Sequence, residues 1–382
     1  MLSNKVQHQP LAVKIVEQGL LRGRVPHAYL FHGPDGVGKE TLALAFAELL
    51  LCSNSDVDLT TAARKKQAAK QSELAACGRC DDCRGIAAGV HPDLHIVHRY
   101  LNREHPDSDV RKRKGLEISI DVIRHFLIEP VGRTPIRGRA KIFIVREADR
   151  MTVQAQNGLL KTLEEPPQTT FLILLADNAN SLLPTTQSRC QGVPFDPLPI
   201  SFVESRLGEL VPKLTPTQRS WYARSGDGSI GKALEAAQDG LFELNERLST
   251  VLGEWLTAQR STGGRRGRAP DLLKFWTEEA GSIGDRYQKR DPDITDTDAT
   301  RRGLFTVLRL TATWFADVLR LSAGGTLELT NVKHRPALEK IAGGVSPSRT
   351  ADDIHRIAET ERQLDLNANT QLCLETLVAD LA

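Results

Sequence analysis

The tightest constraint on this chain is a junction. The apolar run Ala28-Tyr29-Leu30-Phe31-His32 leads straight into Gly33-Pro34-Asp35-Gly36-Val37-Gly38-Lys39-Glu40, and the helix-forming Thr41-Leu42-Ala43-Leu44-Ala45-Phe46-Ala47 follows. Strand, glycine-bearing loop and helix in that order converge backbone N–H groups on an anion at the helix N-terminus. The lysine adds positive charge facing the outer phosphates. Such a unit predicts an α/β domain with a parallel sheet covered by helices. Gly33, Gly36, Gly38, Lys39 and Thr41 are its candidate phosphate-binding residues.

The loop departs from the usual pattern at the metal. Its last position should carry a serine or threonine whose hydroxyl holds Mg²⁺, but Glu40 stands there, and Thr41 comes one residue late. On a helix that displaces its side chain by about 100°. A second metal-holding group is expected at the end of another core strand, as an aspartate followed by a catalytic glutamate. Here the strand Ile142-Phe143-Ile144-Val145 is followed by Arg146-Glu147, and a guanidinium repels a divalent cation. ATP or ADP is the ligand this loop would take, Mg²⁺ is not expected, and hydrolysis by the chain alone should be poor.

From Leu11 to about Asp196, short apolar runs alternate with longer amphipathic segments, with strand candidates at Ala28–His32, Leu94–Val97, Lys141–Val145 and Phe171–Leu175. Two polar insertions, Ser53–Ala76 and Asn102–Gly115, read as mobile surface excursions. After Phe195-Asp196-Pro197-Leu198-Pro199 the strand signal stops and the rest reads as helices. Leu304, Val307, Leu308, Thr311, Phe315, Val318 and Leu319 share one helix face, the mark of a buried stripe in an all-α bundle. A chain of 382 residues suits two or three domains.

Charge and composition exclude other classes. Fifty Lys+Arg against 48 Asp+Glu leave a net charge of +2, too little to coat nucleic acid by bulk electrostatics. With 40% hydrophobic residues, disorder of the whole chain is excluded. No signal-like apolar stretch or membrane-length run is evident, so a soluble cytoplasmic protein without a membrane partner is expected.

Four of the six cysteines form a pattern of their own. Cys77, Cys80 and Cys83 make a C-x₂-C-x₂-C run, and Cys52 lies upstream at the end of the phosphate-loop helix. Four thiolates suit a closed, structural Zn²⁺ site; an iron–sulfur cluster also uses closely spaced cysteines, but nothing else in the chain suggests redox chemistry. His91, His95 and His98 read as structural or exposed, and Cys373 as a core residue.

Together the phosphate loop, the four cysteines, the run Asn157-Gly158-Leu159-Leu160-Lys161-Thr162-Leu163-Glu164-Glu165-Pro166-Pro167 and the triplet Ser188-Arg189-Cys190 resemble the bacterial AAA+ clamp-loader subunits of DNA polymerase III. The resemblance covers about residues 7–240 and extends weakly to a final helix after Leu366-Asn367-Ala368-Asn369. It implies an AAA+ core with zinc module at 1–196, a helical lid at 197–242 and an all-α collar at 243–382. It further implies a hetero-oligomer with the motor ATPase (gamma/tau) and delta subunits, acting on a sliding clamp and on primer–template DNA. Arg189 would be a catalytic arginine finger, reaching in trans to the γ-phosphate of a neighbour's ATP. Glu40, Arg146 and Gly231, where the motor would place a sensor arginine, imply a member impaired in hydrolysis.

Two other readings compete. One is an active motor ATPase with Glu147 as base and Thr41 rescuing the magnesium. The other is a zinc-bearing DNA-binding module using Arg111–Lys114 and Arg265–Arg268, runs more simply read as solvated loop charges.

Overall fold

The computed structural model describes residues 2, 5–22, 24–55, 75–137, 139–167, 169–257, 269–291, 294–325, 328–366 and 368–381. Most of the insertion 53–76, the basic run Arg265–Arg268 and Asn367 lie outside the described residues. The chain divides into two compact units, Met1–Pro199 with Gly228–Gly231, and Ile200–Asp227 with Lys232–Ala382.

The first unit is built on five parallel strands: β1 (Ala28–His32), β2 (Leu94–Val97), β3 (Lys141–Val145), β4 (Thr170–Ala176) and β5 (Gln191–Pro194). Their order across the sheet is β2-β3-β4-β1-β5. The longer helices are α1 (Pro10–Leu21), α2 (Lys39–Leu51), α3 (Asp81–Ala87) and α7 (Val153–Glu164). Short turns of helix lie between and after them, α4 (Ser108–Arg111), α5 (Ile120–Ile123), α6 (Glu129–Val131) and α8 (Pro184–Gln187).

Burial explains the strand order. Every residue of β3 and β4 is buried, so these apolar runs belong in the middle of a sheet covered on both faces. In β1 the two faces alternate: Ala28 and Leu30 join a cluster with Phe143, Val145, Leu172 and Leu174, while Tyr29 meets Phe46 of α2 edge to face at 5.4 Å. Each fully buried Leu or Phe stabilises the fold by about 1.5–3 kcal/mol. The first three strand candidates coincide with β1, β2 and β3, and the fourth extends by one residue at each end. β5 was not foreseen because it is an edge strand, Gln-Gly-Val-Pro, with only Val193 buried.

The segment Asn102–Gly115, expected as a mobile excursion, is tied down instead. Val110 is buried, Asn102 Nδ2 donates to Arg113 O, and Arg99 Nη1 donates to Gly115 O at 2.9 Å. Its basic residues are largely engaged locally, with Lys112 on Asp109 and Arg113 on Asp121.

The second unit is helical: α9 (Ile200–Leu210), α10 (Pro216–Ser225), α11 (Ile230–Gln238), α12 (Leu241–Thr257), α13 (Ala269–Arg290), α14 (Asp296–Ser322), α15 (Arg335–Ala342), α16 (Pro347–Asp365) and α17 (Thr370–Leu381). The stripe on α14 is buried from Leu304 to Val318, with Leu319 half-buried. Helices expected in a lid and in a collar share this unit through one buried amide. Asn331 Oδ1 accepts from Trp221 Nε1 of α10 at 3.1 Å and from Asn245 Nδ2 of α12 at 2.8 Å. Asp317 of α14 accepts from the Asn331 backbone N–H at 2.8 Å and from its Nδ2 at 3.0 Å.

Helices α13 and α14 approach closely at Gly303, where a Cβ would stand 2.1 Å from the Ala280 carbonyl oxygen. Gly281 on α13 faces open space. Gly303→Ala is therefore expected to destabilise the helical unit by about 1–3 kcal/mol, and Gly281→Ala to stabilise it by about 0.5–1 kcal/mol. All four tryptophans, at 221, 255, 276 and 314, lie in this unit, so urea unfolding followed by tryptophan fluorescence checks both.

Candidate functional site

The loop between β1 and α2 has the backbone of a phosphate cradle, with positive φ at Gly33 (142°), Gly36 (69°) and Gly38 (105°). Glycine is required twice over. A Cβ at Gly33 would lie 2.3 Å from Phe195 O, and one at Gly36 would lie 2.5 Å from the Gly231 nitrogen. Gly231, the expected place of a sensor arginine, thus packs backbone against backbone on the loop. Lys39 is buried, and its ammonium donates to Gly33 O, to Pro34 O at 2.8 Å and to Asp177 Oδ1 at 2.8 Å. An ammonium has three donors, so all are engaged. Thr41 is exposed.

The two residues that depart from the expected metal-ligand pattern meet each other. Arg146, just past the end of β3, donates through Nε to Glu40 Oε1 at 2.9 Å and through Nη2 to the same oxygen. A guanidinium therefore neutralises the carboxylate in the first turn of α2. The neighbouring acid is tied as well: Glu147, in the left-handed conformation at φ 49°, lies 3.2 Å from Arg99 Nε and 3.0 Å from Arg150 Nε.

Arg189 sits at the other end of the sheet. It precedes Gln191, the first residue of β5, which is level with Tyr29, whereas Pro194 is level with His32 beside the phosphate loop. Three residues of strand separate those levels by roughly 10 Å. The helix turn α8 leads into Ser188, and Cys190 packs against the core cluster, where burial pushes its thiol up to about 12. This anchor turns Arg189 outward, with its side chain 32% exposed. Its Nε donates to Glu164 Oε1 at 2.8 Å, its Nη2 to the same oxygen, and its Nη1 to Thr185 O at 2.8 Å.

The cysteines converge as the spacing suggested. The Sγ atoms of Cys52, Cys77, Cys80 and Cys83 all lie within 4.8 Å of one another, with Cys52–Cys80 at 3.8 Å and Cys77–Cys83 at 4.0 Å. Thiolates about 2.3 Å from a zinc ion form a tetrahedron with edges of about 3.8 Å, so the four residues fit that metal and can hold it. Backbone N–H groups aim at the sulfurs, from Cys77 to Cys52, Cys80 to Cys77 and Cys83 to Cys80, at 3.3–3.4 Å. The N–H groups of Arg79 and Cys80 bring the Cys77 thiol down to about 6, while burial pushes Cys83 up.

The module rests on residues that sequence reasoning missed. Buried Asp82 accepts from Ser53 Oγ, from Arg137 Nε at 2.8 Å and from His91 Nε2 at 3.3 Å, and buried Asp93 accepts from the backbone N–H groups of Ile136 and Arg137 at 2.7 Å. The sequence signal was an acidic residue inside the cysteine run followed by a histidine before a proline. His91 is structural, as expected. Asp177 and Arg99 were also missed, since their contacts cross between strand ends that lie far apart in the chain, and so was Arg150, which meets Glu147 only three residues away.

A glycine loop between the first strand of a parallel sheet and its helix, with a cysteine module and an appended helical unit, defines the class: an AAA+ phosphate-loop protein. A family model described as "DNA polymerase III, delta subunit" matches residues 8–199. Subunit delta' of DNA polymerase III from Bacillus subtilis is 34% identical over 201 residues, 53% of this chain and 51% of that one. Subunit tau from Escherichia coli is 29% identical over 236 residues, 61% and 32% of the two chains. A solved gamma subunit-related protein of DNA polymerase III from Thermotoga maritima aligns at 19% identity and a TM-score of 0.39, over 95% of this chain and 97% of that one. The chain belongs to the delta' family of DNA polymerase III clamp-loader subunits. It spans about half the length of the delta' relative.

Removing the Asp82 carboxylate leaves buried His91 without its hydrogen-bond acceptor and frees the Arg137 side chain. Asp82→Ala is expected to weaken the module locally, by about 1–3 kcal/mol. Hydrogen exchange should show lost protection in α3 with the helical unit unchanged.

Proposed function

We propose that this chain is a hydrolysis-impaired clamp-loader subunit, a stator that lends Arg189 to the ATP of an adjoining subunit while the complex opens a sliding clamp and sets it on primer–template DNA. The observation that carries this reading is the Glu40–Arg146 pair. Each residue replaces a magnesium-holding group, and the two neutralise each other where the cation would be held. Lys39, with three acceptors of its own, would have to leave them for a nucleotide phosphate. Glu147, set between two guanidiniums, is poorly placed to accept a proton from water.

The finger reading draws on position. Arg189 lies at the end of the sheet away from its own loop, so its charge does not serve a phosphate there and suits one brought by a neighbour. There a guanidinium stabilises charge that develops on the transferred phosphoryl group. The expected partners are the motor subunits gamma/tau and delta, and the relative's name, subunit delta' of DNA polymerase III, supports that assignment. The four-cysteine set would hold one structural zinc, which braces the module through its sulfurs and takes no part in the chemistry.

Three measurements test the reading. Arg189→Ala protein, assembled with its partners, is expected to lower DNA-dependent ATP turnover at the adjoining site by about tenfold or more with assembly intact; unchanged turnover overturns the finger role. Titrating the isolated chain with a fluorescent ATP analogue should show no gain in affinity on adding Mg²⁺, whereas Glu40→Thr combined with Arg146→Asp should create one. Metal analysis should return one zinc per chain, lost in Cys80→Ser; iron, or no metal, overturns that assignment.

A further inference from the structure

We infer that Glu164 is a positioning residue for Arg189, presetting the guanidinium so that its outer N–H groups meet a neighbour's phosphate. The inference rests on the finger reading above and adds to it the residue that orients the finger.

Glu164 is the last residue of α7. A carboxylate at a helix C-terminus faces the negative end of the helix dipole, so this position is electrostatically poor unless a cation compensates. Arg189 supplies one, bonded through Nε at 2.8 Å and through Nη2 to the same Glu164 oxygen. The Thr185 carbonyl holds Nη1 at 2.8 Å from another direction. The guanidinium is thus pinned along two edges by residues of α7 and α8.

Counting donors shows what is left. A guanidinium carries five N–H groups. Nε–H and one N–H of Nη2 go to Glu164, and one N–H of Nη1 goes to Thr185; the Ser188 hydroxyl at 3.5 Å is at the limit of a bond. Among the described residues, the second N–H of Nη2 has no acceptor and that of Nη1 meets only the distant Ser188 hydroxyl, so both can turn to an incoming ligand. Those two make a fork suited to the paired oxygens of a phosphate.

Two effects of Glu164 oppose each other. Its negative charge weakens the attraction of Arg189 for phosphate, while its bonds remove the rotamer freedom that a loose arginine would lose at each encounter. The carboxylate is 49% exposed, so water screens its charge effectively. The orienting bonds are short-range and do not fade in that way. Preorganisation therefore outweighs repulsion.

The test uses the assembled complex and separates kcat from KM. Glu164→Ala is expected to lower kcat of DNA-dependent ATP hydrolysis about five- to tenfold, with KM for ATP and assembly unchanged. Glu164→Gln keeps an oxygen acceptor without the charge and should restore kcat to the native level or above. In Arg189→Ala protein, adding Glu164→Ala should change nothing further. Native or raised kcat in Glu164→Ala, or a raised KM with native kcat, overturns the inference. Arg189→Ala measured in parallel keeps the two ideas apart. If it leaves turnover unchanged, the finger reading has failed; if it abolishes turnover while Glu164→Ala is native, only the positioning role has failed.

Discussion

A carboxylate and a guanidinium occupy the place where this type of loop ordinarily meets a metal. In the Glu40–Arg146 contact each residue answers the other, because Arg146 alone would set an unpaired cation beside the positive end of a helix. Glu40 lies in the first turn of α2, where the helix dipole favours an anion, and Arg146 at the end of β3 completes it. The surrounding charges follow the same logic. Lys39 turns inward to loop carbonyls and Asp177, and Glu147 is held by Arg99 and Arg150. Gly33 and Gly36 have no room for a side chain because Phe195 and Gly231 press against them, a packing reason that holds without any ligand.

The parallel sheet gives these groups separate ends. Loops that follow strands gather Lys39, Glu40, Arg146 and Asp177, and segments that precede strands gather Glu164 and Arg189. Strand direction alone thus divides a site facing its own loop from one facing outward.

Much of this was legible from the residues. β1 through β3 stood out because buried parallel strands are uninterrupted apolar runs, and the cysteine spacing declared its own convergence. β5 was hidden because an edge strand needs only one buried side chain, Val193, and it takes its place from hydrogen bonds to β1. The order of Asn102–Gly115 was hidden too: its polar composition suggested mobility, but Arg99 and Asn102 bond its carbonyls and Val110 enters the core. The pairing of Glu40 with Arg146 spans 106 positions. The residues themselves read as two separate departures from the metal-binding pattern, and the fold brings them together as one ion pair.

The saturation of Lys39 reaches beyond chemistry. An ammonium waiting for phosphate leaves a fold incomplete until its ligand arrives, and such a protein gains rigidity in proportion to ligand supply. Here the complement is supplied by the chain's own carbonyls and one carboxylate. Any anion arriving at the loop must therefore compete with contacts the chain already makes.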